Sequence, residues 1–130
     1  MSPVVPRFEL HEEDAEGAHV IAVRGEIHVQ TAPRFSQRMS DAIDDGHTAM
    51  VLDLSAVEFI DSTGLSVLLT GLRRMTQQHG RLAIVCTNPT VLRLFQITGL
   101  DTTFDIFADR PAAFAHVRDQ PAGGSSGGDP

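Results

Sequence analysis

Two short apolar runs, Met50-Val51-Leu52-Asp53-Leu54 and Leu82-Ala83-Ile84-Val85, each lead into a segment whose apolar residues recur at helical spacing. Their Val and Leu content suits strands buried on both faces of a helix-covered sheet, although runs this short are ambiguous by pattern alone. After the first run, Leu65, Leu68, Leu69, Leu72 and Met75 form a helical stripe, and Gly80 is a good C-terminal stop. After the second, Asn88 can cap a helix with Pro89 in its first turn, where a missing N–H costs little. Val91, Leu92, Leu94 and Phe95 supply its apolar face, and Gly99 closes it.

The flanking segments extend this alternation. Residues 7–10 read as a short edge strand, 12–17 as a polar turn, and 19–23 as a second strand ending at Gly25. Thr31 is placed to cap a helix with Pro33 in its first turn and with Phe35, Met39, Ala42 and Ile43 on its apolar face. Asp44-Asp45-Gly46 ends that helix, and its adjacent aspartates read as turn chemistry rather than as an acid–base pair. Residues 104–107 form a short strand, and Asp109 and Pro111 start a last helix carrying Phe114 and Val117. Alternation of this kind predicts an α/β layer fold with crossover helices on a largely parallel sheet. A chain of 130 residues suggests one domain with one real core. We place the domain at residues 1–118. Residues 119–130, rich in Gly, Ser and Pro, cannot bury apolar surface and are expected to be a disordered tail.

Charge narrows the function. Ten basic against 17 acidic residues, net −7, leave no basic stripe for nucleic acid; Arg73-Arg74 reads as part of a solvated helix face. The single cysteine, Cys86, rules out a disulfide framework within the chain and reads as a small core residue. The N-terminus lacks the basic start and apolar middle of a signal peptide, and no apolar run approaches the ~20 residues of a membrane helix, so a cytoplasmic protein is expected. Six scattered histidines show no i, i+4 pair and no ligand spacing with Cys86, so no metal or other cofactor is expected. Ser62 lacks the Gly-x-Ser-x-Gly elbow of a hydrolase, because Ile60 stands where the first glycine belongs, and no phosphate-binding loop with lysine is present. An enzyme is therefore not expected.

The informative segment runs from Val51 to Leu69 as strand, turn and amphipathic helix, with Asp61 or Ser62 at the helix start. A helix start exposes unpaired N–H groups and the positive end of the macrodipole, so a phosphate there meets donors. Phosphorylation of Ser62 would add roughly −1.5 to −2 charges and three acceptor oxygens without melting the helix. Gly64, lacking a side chain, would leave the hydroxyls of Ser62 and Thr63 open, though a plain packing reason is possible. Taken alone, Asp-Ser-Thr before an apolar helix is also an ordinary cap.

Glu58-Phe59-Ile60-Asp61-Ser62-Thr63-Gly64-Leu65 resembles the signature of the STAS family, in its anti-anti-sigma branch. Gly25-Glu26-Ile27 with Ala32-Pro33 is similar to the family's early strand-to-helix passage, and Val51-Leu52-Asp53-Leu54-Ser55 to its central strand. The run from Leu92 to Leu100 resembles its late helix and following turn. The likeness spans roughly residues 7–117. It implies a mixed four- to five-stranded sheet with helices packed on one side. It also implies an anti-sigma factor antagonist: the unphosphorylated protein binds an anti-sigma factor that is a serine kinase, releasing sigma factor. Phosphorylation of Ser62 (Thr63 being a possible second acceptor) ends that binding, and a phosphatase restores it. The expected partner-binding residues are His28, Thr31, Ser55, Asp61, Ser62, Thr63, Gly64, Leu65 and Ser66. His28 stands where the family usually carries an aspartate near the phosphorylated serine, and we expect it to tolerate or stabilise phospho-Ser62. Two other readings are a STAS subunit of a transporter or signalling scaffold without phosphorylation, and a module binding a small anion or nucleotide at the helix start.

Overall fold

A computed structural model describes residues 8–118. The elements follow in the order β1 (Glu9–Ala15), β2 (Ala18–Ile27), α1 (Ala32–Asp44), β3 (Ala49–Ile60), α2 (Ser62–Gln77), β4 (Arg81–Val85), α3 (Pro89–Ile97), β5 (Ile106–Phe107) and α4 (Arg110–Arg118), with a 3-10 turn at Leu100–Thr102. The strands form one sheet in the order β1-β2-β3-β4-β5. Only the β1–β2 pair is antiparallel; the other three pairs are parallel.

Alternation along the strands sorts side chains onto two faces, as the two-residue period of a strand requires. Ile21, Val23, Ile27, Met50, Leu52, Leu54, Leu82 and Ile84 join Phe35, Met39, Ile43, Leu65, Leu68, Met75, Val91 and Phe95 in the main core. Val20, Val51, Ala83 and Val85 point the other way and meet Ala113, Phe114 and Val117 of α4. Three helices therefore lie together on one side, as expected, and α4 lies on the opposite face. Connectivity explains the split. Each step from β2 to β5 moves in the same direction across the sheet, so crossovers of one hand put α1, α2 and α3 on one face. No strand follows α4 among the described residues, so no crossover constrains it.

Several element bounds differ from the sequence reading. The acidic stretch expected as a turn continues β1 to Ala15, paired with β2 from Glu9↔Arg24 to Ala15↔Ala18. The turn is only Glu16 and Gly17, both at positive φ (54° and 80°), as a two-residue hairpin of this hand demands. Gly25 does not end β2; at φ 100° it absorbs a register shift against β3, and the strand runs on to Ile27. Gly80 is not the left-handed residue that stops α2. His79 takes that conformation (φ 60°), while a Cβ on Gly80 would lie 2.9 Å from the Thr48 carbonyl oxygen. Of the strand expected over 104–107, only Ile106–Phe107 pairs; Phe104 turns inward and meets Phe95 edge-on at 5.8 Å. The expected tail at 119–130, and Arg7 of the first expected strand, lie outside the described residues. Among those described, no helix is long and apolar enough to cross a membrane.

Candidate functional site

The parallel strands β2 and β3 end in register at Ile27↔Ile60, so His28 and Asp61 follow them side by side. The Asp61 N–H donates to the Ile27 carbonyl (3.1 Å), tying the two chain ends together. Asp61 is in extended conformation and is the N-cap of α2: its Oδ1 accepts from the Gly64 N–H at 3.0 Å, and its carbonyl accepts from the Leu65 N–H. Ser62 is thus the first helical residue and Thr63 the second. Because Asp61 does the capping, neither hydroxyl is consumed by it; among the described residues the Ser62 side chain is exposed and has no hydrogen-bond partner. The N–H groups of Ser62 and Thr63 have no intrahelical acceptor, so two donors and the positive helix end face outward beside that hydroxyl.

Gly64 serves packing. A Cβ there would lie 2.6 Å from Ile60 Cγ1 and 2.8 Å from Ile27 Cγ2. The glycine lets the first turn of α2 seat directly on the two strand ends, which fixes where Ser62 emerges. Gly64 and Leu65 are both buried and shape the surface from beneath. Ser66 is exposed one turn along α2 from Ser62.

The β2–α1 loop forms the neighbouring wall. Thr31 flanks α1, but its side chain makes no cap bond to the helix. Its hydroxyl instead accepts from the His28 N–H (2.9 Å) and donates to the Glu26 carbonyl (2.7 Å), cross-bracing the loop. His28 Nδ1 accepts from the Gln30 N–H at 3.2 Å, which leaves the ring proton on Nε2, 3.9 Å from Glu26 Oε1. Val29, between them, is 66% exposed, and Phe59, on the sheet face opposite Ile60, is 44% exposed. Neither was singled out from sequence. The available signal was an apolar residue stranded in a loop and another out of phase with the core.

Ser55 does not join this group. It lies back along β3, at about 3.3 Å per residue, and its N–H and hydroxyl both donate to Asp53 Oδ1 (3.0 and 2.6 Å). The other Asp53 oxygen accepts from Arg110 of α4 at 2.6 Å. Burial pushes the Asp53 carboxyl up, but the Ser55 donors and the Arg110 guanidinium outweigh it and hold it below the usual carboxylate value. Ser55 is therefore part of the clamp between sheet and α4. Cys86 is buried in the main core, where burial raises its thiol pKa.

A mixed sheet with three helices on one face, and an exposed serine at a capped helix start, is the arrangement of a small α/β domain of the STAS type. The chain belongs to the STAS domain family, whose model matches residues 10–113. It is 33% identical over 105 residues to the anti-sigma-F factor antagonist RsfB of Mycobacterium tuberculosis, covering 81% of this chain and 85% of that one. Among solved structures it is similar to an anti-sigma factor antagonist from Mycobacterium paratuberculosis, with 35% identity, a TM-score of 0.81, and 87% and 96% of the two chains covered. The Bacillus cell fate determinant SpoIIAA in its phosphorylated form is 26% identical with a TM-score of 0.65, covering 86% of this chain and all of that one.

Proposed function

We propose that this protein is an anti-sigma factor antagonist, a binding protein and not a catalyst, switched by phosphorylation of Ser62. The observation that carries this reading is the exposed Ser62 hydroxyl at the first position of α2, left uncommitted because Asp61 supplies the cap. The names of the relatives support the antagonist role, and a relative known in phosphorylated form supports the switch. In the unphosphorylated state, an anti-sigma factor with serine kinase activity docks over Ser62, Thr63 and Ser66 and the adjoining loop of His28, Val29 and Thr31. Val29 and Phe59 supply the apolar anchors, since partly exposed apolar side chains at the rim of a polar site carry contact area. Release of sigma factor follows from occupation of the anti-sigma factor. Phosphate on Ser62 then buries a dianion in that interface, which costs several kcal/mol when unpaired. A phosphatase acting on phospho-Ser62 restores binding.

The test incubates the protein with a candidate anti-sigma factor kinase and ATP and maps the phosphate by mass spectrometry. Phosphate on Ser62, absent in Ser62→Ala and retained in Thr63→Ala, is expected. Ser62→Ala is expected to bind the kinase and resist release by ATP. Equal binding by wild type and Ser62→Asp would sink the switch. His28 belongs to the same proposal: His28→Asp places a third carboxylate beside Asp61 and Glu26 and is expected to slow phosphorylation, and unchanged rates would remove His28 from it.

A further inference from the structure

At the far end of the sheet from Ser62, the β1–β2 hairpin and the turn before β3 bring together residues widely separated in sequence. Asp14 pairs across the hairpin with His19, and His47 precedes β3 beside them. The His19 and His47 rings lie 4.3 Å apart. His19 Nδ1 is 2.8 Å, and His47 Nε2 3.5 Å, from the same oxygen, Asp14 Oδ1. Each ring is held by its other nitrogen: His47 Nδ1–H donates to the Ala42 carbonyl (2.9 Å) and His19 Nε2–H to Glu12 Oε1 (2.9 Å). Glu12 is itself held by Arg38. Imidazoles anchored in this way, one on a backbone carbonyl and one on a carboxylate, have the outer-shell arrangement that orients histidine metal ligands and fixes their tautomer. With its proton on Nδ1, His47 Nε2 aims a lone pair at Asp14 Oδ1, while His19 Nδ1, 2.8 Å from that oxygen, donates to it through a proton that an incoming ion replaces.

We propose that Asp14, His19 and His47 bind a divalent transition-metal ion of the zinc class. The three ligand atoms lie within 4.8 Å of one another. A tetrahedral ion with bonds of about 2.0–2.2 Å sets its ligands roughly 3.4 Å apart, between the 2.8 and 3.5 Å separations of the two nitrogens from Asp14 Oδ1 and within reach of small side-chain shifts. Two imidazole nitrogens and one carboxylate favour zinc, cobalt or nickel over magnesium or calcium, which prefer all-oxygen shells. His19 is 9% exposed and Asp14 lies at the surface, beside a pocket of about 440 Å³ between the two turns, which gives an ion an entry path and leaves a fourth position for water. Binding displaces the proton on His19 Nδ1.

The test is calorimetric titration of the tag-free full chain with zinc chloride, with magnesium in excess as background. One zinc per chain is expected. His47→Ala and Asp14→Asn are each expected to weaken binding at least about tenfold, while His11→Ala, on the other face of β1, leaves it unchanged. Ring NMR signals of wild-type His19 and His47 are expected to shift with zinc while those of His28 and His116 stay in place, a readout that needs no variant. Absence of zinc binding, or binding that His47→Ala and Asp14→Asn leave intact, or zinc-induced shifts confined to the other histidines, overturns the proposal.

Discussion

Gly64 decides where Ser62 stands, because only hydrogen fits between the first turn of α2 and the side chains of Ile27 and Ile60. Both isoleucines are buried and, being β-branched, are stiff at χ1, so they yield little. Gly64→Ala gains about 1 kcal/mol of helix propensity but meets an overpacking cost of about 1–3 kcal/mol. A net loss of stability is expected, seen as a lower urea midpoint; a gain would show that α2 can lift off the strand ends freely. Asp61→Ala removes the cap and is expected to cost about 0.5–2 kcal/mol, read from the same denaturation curve. At this scale much was legible in sequence, since Asp61 and Asn88 act through bonds to residues two or three positions away and Ser62 simply follows the first of these caps. Thr31 was misread because its hydroxyl turns back to Glu26 and His28. The Asp14–His19–His47 group was invisible because it depends on hairpin pairing and on strand register, which spacing along the chain does not encode.

Among the elements, α4 is the one attached least by connectivity and most by side chains. Arg110 reaches Asp53 of β3 and Glu13 of β1 (2.9 Å), Arg118 reaches Glu16 (2.9 Å), and Arg81 of β4 donates to the His116 carbonyl (3.0 Å). Asp53, only 13% exposed at its side chain, is the centre of this clamp. Asp53→Asn is expected to destabilise the fold by about 1–2 kcal/mol at neutral pH, after allowing for the partly exposed Arg110. The pH dependence has a definite sign. A carboxyl whose folded pKa lies below its usual 3.8 stabilises the fold above that value and loses the contribution as pH falls through the folded pKa. The difference between wild type and Asp53→Asn should thus be constant from about pH 5 upward and shrink in stronger acid, as thermal melts across a pH series would show. The α/β alternation and the four helices were readable, because periodicity of 3.6 and short apolar runs survive in the bare sequence. The length of β1 was not: an edge strand with one solvated face carries charges that read as a turn. Nor was the side taken by α4 legible, since no later strand forces it.

Taken as a whole, the molecule keeps its core apart from the proposed switch. The core lies between the sheet and its helices, and Ser62 projects from a helix tip outside it. Ser62→Glu should therefore leave the thermal midpoint unchanged, helped by a negative charge at a helix N-terminus. Its affinity for the anti-sigma factor should fall at least about tenfold. Differential scanning fluorimetry and a binding assay on one preparation test both halves, and a large drop in the midpoint would show that the two are coupled.

The sheet also has two unequal borders. One is β5, only two residues long; the other is β1, whose outward residues Glu9, His11 and Glu13 carry polar or charged groups. Neither margin offers a long apolar template for strand addition. A visiting protein is thus steered to helix tips and loops, contacts that part without unzipping any backbone ladder. A docking mode of that kind suits the proposed cycle, in which the chain is seized and let go many times over without losing its shape.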